Sequence, residues 1–228
     1  MKAVILAGGM GTRLGTLIPK PLTSLVDETC ILDYQVQKLA KKVGLHNILV
    51  VVGYKKELIM EKHPELLYVY NDAYAKTSTA KGLLCAFKKI NEDVIWLNGD
   101  VFFEEGVLDL IANSNESAIL VNNARVGEEE IKYSLTSNNY VKEISKSVAN
   151  AKGEAVGINL LKAADIPLFV NELEKVENTD YFEKALENLT LTKRLALRPI
   201  LLGELFCAEI DFEEDLQKVR NYLTMHRP

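Results

Sequence analysis

A short apolar run near the start of the chain ends abruptly in glycine. Residues 3–7 read Ala-Val-Ile-Leu-Ala, which is typical of a strand buried in a parallel sheet. Gly8, Gly9 and Gly11 follow, and because glycine has no side chain, successive backbone N–H groups can point at one anion. Open α/β sheets bind ligands at this edge, beyond the carboxyl ends of their strands. The sequence therefore predicts an α/β fold with an anion-binding loop after its first strand.

Two cations follow these glycines, and no acidic residue lies between residues 6 and 22. Arg13 offers phosphate oxygens a planar fork of donors, and Lys20, held between Pro19 and Pro21, offers a mobile point charge. The alternative is that the glycines form only a turn and the cations are solvated, which is common for an isolated Gly-x-Gly. Because the whole segment follows the first strand, we favour binding of a polyphosphate.

The same segment resembles the signature of sugar-nucleotide pyrophosphorylases and related nucleotidyltransferases, G-x-G-T-R-x followed by P-K-x-L. Residues 9–14 read Gly-Met-Gly-Thr-Arg-Leu, and residues 19–22 read Pro-Lys-Pro-Leu. The segment is neither a Walker A loop nor a dinucleotide fingerprint. The resemblance implies a Rossmann-like mixed, mainly parallel sheet flanked by helices (the nucleotide-diphospho-sugar transferase type), with a small acceptor-binding β/α insertion. It implies that Arg13 and Lys20 are catalytic. The nucleotide contacts that it implies in this segment are Leu6, Ala7, Gly8, Gly9, Gly11 and Thr12.

Length and charge narrow the function classes. The chain has 228 residues, of which 26% are charged and 48% apolar, and its net charge is −5. This suits one nucleotidyltransferase domain, with a mainly nucleotide-binding half at 1–112 and a mainly acceptor-binding half at 113–228. Without a basic tract, nucleic acid is not an expected partner. The first apolar run is too short for a signal peptide or a membrane span, so we expect a cytoplasmic protein with no membrane partner. A homodimer is left open.

Apolar runs alternate with amphipathic stretches, which is typical of β-α-β units. In the first half we predict strands at 3–7, 47–52, 66–70 and 93–97, and helices at 31–43, 55–62 and 79–90. From residue 117 the pattern changes to shorter strands separated by polar turns. There we predict strands at 118–121, 131–136, 140–144, 155–161, 195–201 and 205–209, and helices at 163–176, 180–189 and from 212.

Acidic residues close two predicted strands. Asp100 follows the apolar run 94–97, and Glu209 and Asp211 end the run 205–208, where strand alternation sends both acids to the same face. Carboxylates and triphosphate oxygens together suit Mg²⁺. In the family that the chain resembles, the aspartates matching Asp100 and Asp211 hold the catalytic magnesium, and Asp100 lies beside the nucleotide. The alternatives are a turn-forming Asp100 and an N-cap role for Asp211.

Residues 77–83 read Thr-Ser-Thr-Ala-Lys-Gly-Leu and occupy the place where relatives carry a base-reading segment. The resemblance implies nucleotide contacts at Thr77, Thr79 and Gly82. Thr77 lies near a glutamine position typical of thymidylyltransferases, and its small hydroxyl is compatible with cytosine or uracil. The alternative is that Ser78 or Thr79 is an ordinary helix N-cap.

A lysine in the second half points to the acceptor. Lys146 matches the lysine that holds the acceptor phosphate in sugar-phosphate enzymes. Ser145 replaces their sugar-binding glutamate and the following proline is absent, which argues against a hexose. Residues 153–158 match a G-E-x-x-G-I strand, whose Glu154 is expected to face the acceptor.

The C-terminal third most resembles the bacterial CTP:phosphocholine cytidylyltransferases and related phosphoalcohol or aminoalkylphosphonate cytidylyltransferases. This resemblance implies that Tyr181 and Glu209 hold an ammonium group by cation–π attraction and charge pairing, although Tyr181 and Phe182 also suit a core. Where the choline enzymes offer a tryptophan, residues 130–133 read Glu-Ile-Lys-Tyr, and the single tryptophan, Trp96, lies in a buried strand pattern. A primary amine therefore suits this chain better than choline.

These features predict a Mg²⁺-dependent cytidylyltransferase that moves CMP from CTP to a small phosphorylated alcohol or aminoalkylphosphonate and releases pyrophosphate. Arg13 would hold the pyrophosphate, and Lys20 the α-phosphate and the attacking oxygen. Two alternatives stay open. One is a sugar-1-phosphate nucleotidyltransferase that uses UTP or CTP, and the other is a non-catalytic nucleotide-binding regulatory module.

Overall fold

The computed structural model describes residues 1–9, 18–123, 127 and 130–226. Within these ranges thirteen strands and seven helices follow one another. In chain order they are β1 (Lys2–Ala7), β2 (Ser24–Val26), β3 (Thr29–Cys30), α1 (Ile31–Val43), β4 (Ile48–Val52), α2 (Lys56–Lys62), β5 (Leu67–Tyr70), α3 (Thr79–Phe87), β6 (Val94–Asn98), β7 (Val101–Phe103), α4 (Val107–Ala112), β8 (Ala118–Asn122), β9 (Lys132–Leu135), β10 (Val141–Ser145), β11 (Gly153–Leu161), α5 (Ile166–Lys175), α6 (Phe182–Leu191), β12 (Arg198–Leu201), β13 (Cys207–Glu209) and α7 (Glu213–Met225).

Four parallel strands form the centre of the main sheet, in the spatial order β6-β1-β4-β5. Ile5 of β1 lies opposite Val50 of β4 on one side and Leu97 of β6 on the other. The carboxyl ends of these strands meet at one edge of the sheet. That edge carries Gly8 just after β1 and Asp100 just after β6.

The strand β11 joins the parallel centre to an antiparallel half. It runs antiparallel to β6, β8 and β9, and β10 continues the sheet beyond β9. The strand β12 is added parallel to β8. The antiparallel pairs concentrate in the second half because only antiparallel neighbours can be joined by short turns. The predicted mixed α/β fold, with a parallel centre, is confirmed.

Alternate side chains of the central strands pack on opposite faces of the sheet. Ala3 and Ile5 belong to the hydrophobic cluster that includes α1 and α4, whereas Val4 belongs to the cluster formed with α3, α5 and α6. Trp96 is fully buried in the second cluster. Its ring contacts those of Phe87, Phe169 and Phe182. The single tryptophan is therefore part of the core, as its strand pattern indicates.

Most predicted elements are confirmed to within a few residues. The helix α1 spans the predicted residues, and Gly44 follows it with a φ of +82°. The helix α5 begins at Ile166 rather than at residue 163, because residues 163–165 form a separate 3-10 turn and Pro167 lies in the first turn of the helix. The sequence does not predict β2, β3, β7 or α4, since such short elements show little periodicity.

The three cysteines are not joined by disulfide bonds. Cys30, Cys85 and Cys207 are free thiols, and burial raises the pKa of Cys30 to about 12. Such thiols pack as small apolar groups and are poor nucleophiles.

Across the described ranges, no helix has both the length and the apolar character needed to cross a lipid bilayer.

Candidate active site

Lys20, Asp100 and Asp211 meet at the carboxyl edge of the parallel strands. The Lys20 ammonium donates to Oδ2 of Asp100 at 2.7 Å and to Oδ1 of Asp211 at 2.5 Å. Lys20 is only 8% exposed, so solvent screens these ion pairs weakly. The fold thus joins in one cluster the predicted catalytic lysine and the two predicted metal ligands.

The cluster keeps its lysine charged. Burial alone would lower the pKa of Lys20, but the charges of Asp100 and Asp211 and the hydrogen bonds to them outweigh burial, so that the pKa is raised above its ordinary value. Lys20 therefore carries a proton at neutral pH. Because two carboxylates share one ammonium, the cluster can still attract a further cation.

Close backbone packing at Gly99 brings Lys20 to Asp100. The Gly99 N–H donates to the Leu6 carbonyl at 2.9 Å. A Cβ at position 99 would lie 2.6 Å from that oxygen and 2.9 Å from Cγ of Pro21, so a glycine is required here. The turn after β6 is therefore packed directly against the end of β1 and against Pro21.

A short antiparallel ladder ties Asp211 to Asp100. The strands β7 and β13 pair with Glu209 opposite Val101, and the Ile210 N–H donates to the Asp100 carbonyl at 3.0 Å. Ile210 is buried, whereas Glu209 and Asp211 line the same cavity. The predicted alternation of these two acids is confirmed.

The N-cap alternative for Asp211 is not what the fold uses. The helix α7 begins at Glu213, with Phe212 as its N-cap residue. The Asp215 carboxylate accepts hydrogen bonds from the N–H groups of Asp211 and Phe212, at 3.3 and 3.0 Å. Asp215 thus caps the helix, and the Asp211 carboxylate binds Lys20.

The donor set at this cluster suits magnesium. Asp100 and Asp211 converge on one cation, and Oδ1 of Asp100 is a buried oxygen that accepts no hydrogen bond from the described residues. Mg²⁺ is usually bound by one or two carboxylates together with substrate phosphates and water. No group of three or more His, Cys, Asp or Glu side chains within the described ranges could hold a metal without such help.

A cleft of about 490 Å³ lies beside the end of β1. We call it the glycine cleft, and the predicted nucleotide contacts that line it are Leu6, Gly8, Gly9, Thr77, Thr79 and Gly82. The Thr77 hydroxyl accepts a hydrogen bond from the Asn71 amide and donates one to the Ala73 carbonyl, both at 3.0 Å. Thr77 therefore orders the wall of the cleft. Ala7, also predicted to contact the nucleotide, is 1% exposed and is not among the described residues that line the cleft.

Of Ser78 and Thr79, the two candidate N-cap residues, Ser78 occupies the N-cap position, but neither side chain caps α3. Ser78 is the N-cap residue of α3, but its side chain makes no capping hydrogen bond. The Thr79 hydroxyl accepts a hydrogen bond from the Phe182 N–H at 3.1 Å. Thr79 thus links the first turns of α3 and α6 beside the cleft.

Three predicted site residues, Gly11, Thr12 and Arg13, lie outside the described residues. Their assignments to the nucleotide and to catalysis stay predictions.

A second cavity, of about 280 Å³, adjoins the glycine cleft. Leu6, Gly9 and Thr79 line both cavities, and Asp100 and Asp211 line the second. We call the second one the acidic cavity. Three of the four predicted acceptor-binding residues line it, namely Lys146, Tyr181 and Glu209.

The fourth predicted acceptor-binding residue, Glu154, lines a neighbouring cavity of about 270 Å³. Its carboxylate accepts a hydrogen bond from the Asn122 side chain. The acidic cavity also contains Glu130 and Glu183, which the sequence analysis does not select. Burial, together with the charge of Glu154, raises the pKa of Glu130. The adjacency of Glu183 to the aromatic pair 181–182 was a signal that could have identified it.

Glu209 is held in the wall of the acidic cavity by two neighbours. Its Oε1 accepts a hydrogen bond from the Asn98 side chain at 3.0 Å. Gly157 has a φ of +71°, and a Cβ at this position would lie 2.6 Å from that oxygen. Burial and the charge of Asp100 raise the pKa of Glu209. The second glycine of the G-E-x-x-G-I strand thus leaves room for this carboxylate.

Tyr181 is not a core residue. It is 46% exposed, whereas Phe182 is 1% exposed and packs in the core. The Lys146 ammonium lies 5.5 Å from the centroid of the Tyr181 ring, a separation at which a cation is attracted to the ring face. The acidic cavity therefore offers an aromatic face beside several carboxylates.

The relationship to known proteins is consistent with this geometry. The family model of the MobA-like NTP transferase domain matches residues 3–169. The chain belongs to this family. The resemblance carried by the glycine loop is thereby confirmed, and all described residues that line the glycine cleft of this NTP transferase domain except Thr179 lie within the matched range.

Two curated relatives represent the range of the family. The bifunctional protein GlmU of Methanococcus maripaludis is 28% identical to this NTP transferase domain over 205 residues, which are 82% of this chain and 47% of that protein. The CMP-5'-(3-aminopropyl)phosphonate synthase of Streptomyces rubellomurinus is 33% identical over 127 residues, or 52% of this chain and 20% of that protein. The chain thus spans about half the length of the GlmU relatives that it matches, or less.

A solved structure has the same fold along almost the whole chain. The CTP:phosphocholine cytidylyltransferase from Streptococcus pneumoniae superposes with a TM-score of 0.80 at 22% identity, covering 97% of this chain and 98% of that one. At this identity the similarity establishes the nucleotide-diphospho-sugar transferase fold of this NTP transferase domain.

Glu183 makes the stability of the folded protein depend on pH. Burial raises its pKa to about 7, so the folded protein retains a proton that the unfolded chain releases near pH 4.5. The stability contributed by the protonated carboxyl is therefore lost as pH rises towards 7. We expect Glu183→Gln to melt above the wild type by about 4 °C at pH 8 and by much less at pH 5. A difference in melting temperature that does not change between these pH values would contradict this role of burial.

Proposed function

We propose that this NTP transferase domain transfers CMP from CTP to a small acceptor that carries both a phosphate or phosphonate and an ammonium group, with Mg²⁺ as its cofactor and pyrophosphate as the second product. One observation carries the proposal. The glycine cleft and the acidic cavity share Leu6, Gly9 and Thr79, and Asp100 and Asp211 lie on the acidic side. A triphosphate in the first and an acceptor in the second would have their reacting atoms held together.

The transfer is a single displacement at the α-phosphorus of CTP. An oxygen of the acceptor phosphate forms the new P–O bond, and the bond to pyrophosphate breaks with its electron pair. The Lys20 ammonium would donate hydrogen bonds to the α-phosphate and to the attacking oxygen, and Arg13 would hold the pyrophosphate. Mg²⁺, bound by Asp100 and Asp211, would supply positive charge to the phosphate oxygens. Catalysis is then alignment and charge neutralisation, without a covalent intermediate on the protein.

The charges of the acidic cavity favour an acceptor with a positive group. Glu130, Glu183 and Glu209 line the cavity together with one lysine, Lys146. A phosphate or phosphonate would lie near Lys146, and an ammonium near the three glutamates and Tyr181. The raised pKa values of these glutamates would fall beside an ammonium, because a nearby positive charge favours the ionised carboxylate. The similarity to an aminopropylphosphonate synthase supports the same class of acceptor. We therefore propose an aminoalkylphosphonate or an amino-alcohol phosphate.

We propose CTP rather than UTP on the basis of Thr77 and of the relatives. The Thr77 hydroxyl donates its single proton to the Ala73 carbonyl and accepts a hydrogen bond from the Asn71 amide, so towards a base it can act only as an acceptor. The names of the phosphonate synthase and of the phosphocholine enzyme support a cytidine nucleotide. UTP is the competing substrate in any test.

The test is pyrophosphate release with each of the four ribonucleoside triphosphates against aminoethylphosphonate, phosphoethanolamine, phosphocholine, glucose-1-phosphate and N-acetylglucosamine-1-phosphate. We expect the highest kcat/KM with CTP and a primary-amine acceptor. A preference for UTP and a sugar phosphate would replace our proposal by the sugar-nucleotide alternative, which the GlmU similarity over 82% of the chain favours. Binding of CTP without pyrophosphate release from any acceptor would indicate a regulatory module.

The aromatic contact predicts a graded effect at one position. Tyr181→Leu removes the ring face near Lys146, and we expect KM for aminoethylphosphonate to rise about tenfold. Tyr181→Phe keeps the ring and is the matched control, with KM near that of the wild type. Methylphosphonate, which has no ammonium group, should show no such difference between the variants. Equal KM values for aminoethylphosphonate in Tyr181→Leu and Tyr181→Phe would exclude the cation–π contact.

A further inference from the structure

We propose that Gln35 of α1 is a positioning residue that holds the turn at residues 98–101 and so sets the direction of the Asp100 carboxylate. Gln35 is 1% exposed and lines neither the glycine cleft nor the acidic cavity. It would act on the reaction only through Asp100. The proposal rests on the proposed role of Asp100 as a metal ligand.

Both N–H groups of one side-chain amide are used on this turn. Gln35 Nε2 donates to the Asn98 carbonyl at 2.9 Å and to the Val101 carbonyl at 2.8 Å. These two acceptors stand on either side of Gly99 and Asp100. The side chain therefore bridges the two ends of the turn that presents the carboxylate.

The backbone of the turn makes further hydrogen bonds to other backbone groups. The Gly99 N–H donates to the Leu6 carbonyl, and the Asp100 carbonyl accepts from the Ile210 N–H. These bonds join the turn to β1 and to the segment after β13, whatever the side chains are. The bridge from α1 depends on a particular side chain, and Gln35 supplies it.

The chemistry of the bridge is specific. A primary amide has two N–H donors and no charge, so it can satisfy two buried carbonyls at once. Methionine has a similar length and shape but no donor, so it would remove one hydrogen bond from each of the two carbonyls.

Packing alone does not explain an amide at this position. Oε1 of Gln35 is buried and accepts no hydrogen bond from the described residues. Burying an amide oxygen without a partner costs stability, and a leucine or methionine on this face of α1 would avoid that cost. The amide is therefore better explained by the turn that it holds than by the core that surrounds it.

The test compares Gln35→Met with Leu39→Ala, a core truncation on the same helix. Leu39 is fully buried and belongs to the cluster packed against α1, so it controls for a general loss of stability. Two assays are performed below the melting temperature of each protein. The first measures kcat and KM for CTP in pyrophosphate release. The second measures, by calorimetry, the ratio of the CTP dissociation constants without and with Mn²⁺.

We expect Gln35→Met to lower kcat about 10- to 100-fold, since a displacement of about 1 Å can have this effect, with KM for CTP within about threefold of the wild type. The strengthening of CTP binding by Mn²⁺ should fall by a similar factor, whereas binding of metal-free CTP should not change. Leu39→Ala should keep the wild-type kcat and the wild-type effect of Mn²⁺.

Wild-type values of kcat and of the Mn²⁺ effect in folded Gln35→Met would overturn the proposal, as would the same losses in Leu39→Ala. If Gln35→Met does not fold, Gln35→Asn, which keeps the amide on a shorter chain, is judged by the same two assays. Failure of the proposed function is recognised separately, because the wild type would then release no pyrophosphate and bind CTP equally with and without metal.

Discussion

Lys20→Met should lower kcat for pyrophosphate release by about two to four orders of magnitude, the range expected for loss of a key electrostatic group. Lys20 is the cation that Asp100 and Asp211 share. It is also the group that we expect to donate hydrogen bonds to the α-phosphate. Methionine keeps the length of the side chain and removes its charge and its donors. The measurement is steady-state pyrophosphate release with CTP and the best acceptor. A kcat within about threefold of the wild type would remove Lys20 from the mechanism.

The same variant should also change the melting temperature of the ligand-free protein. Without Lys20, Asp100 and Asp211 lose the ammonium that they share, so the melting temperature in metal-free buffer should fall and Mg²⁺ should restore it. Lys218→Met is the matched control. Lys218 is an exposed lysine of the neighbouring cavity that pairs with Asp215 at 3.0 Å. It should change neither kcat nor the response to Mg²⁺.

Asp100→Asn should lower kcat by about two orders of magnitude or more, for a different reason. The amide keeps an oxygen towards Lys20 but removes one negative charge from the proposed metal site. We therefore expect the Mg²⁺ concentration for half-maximal activity to rise, and part of the lost activity to return at high Mg²⁺. The measurement is pyrophosphate release as a function of Mg²⁺ at saturating CTP.

Asp109→Asn controls for the loss of one aspartate charge elsewhere. Asp109 is an exposed residue of α4 that pairs with Lys42 at 2.7 Å. It should leave both kcat and the Mg²⁺ dependence unchanged. An unaltered Mg²⁺ dependence in Asp100→Asn would mean that this carboxylate does not bind the metal.

The sequence predicts the parallel centre of the fold because its signal is local. Each buried strand is a continuous apolar run, and α1 is bounded by a clear periodicity and by Gly44. The strand β7 is too brief to show a pattern, although its pairing with the predicted strand β13 is what sets Asp211 beside Asp100. Residue type and position at a strand end predict these acids individually, and only the folded chain shows their contact with Lys20.

Other parts of the site depend on packing between distant segments. Gln35 lies in an amphipathic helix, and its partners are 63 and 66 residues away, so nothing in the helix pattern separates it from a core residue. Glu183 follows a core phenylalanine. Whether its side chain lines the acidic cavity depends on which face of α6 is turned towards that cavity. Gly99 and Gly157 are likewise explained only by the neighbouring atoms that a Cβ at each position would meet in the folded chain.

The most direct measurement is a crystal structure of the protein with Mg²⁺, a CTP analogue that cannot be cleaved between its α- and β-phosphates, and aminoethylphosphonate. The account predicts the triphosphate against Gly8 and Gly9, the metal bound by Asp100 and Asp211, and Lys20 Nζ at about 3 Å from an α-phosphate oxygen. A triphosphate bound away from these residues, with Lys20 still bridging the two aspartates, would contradict it.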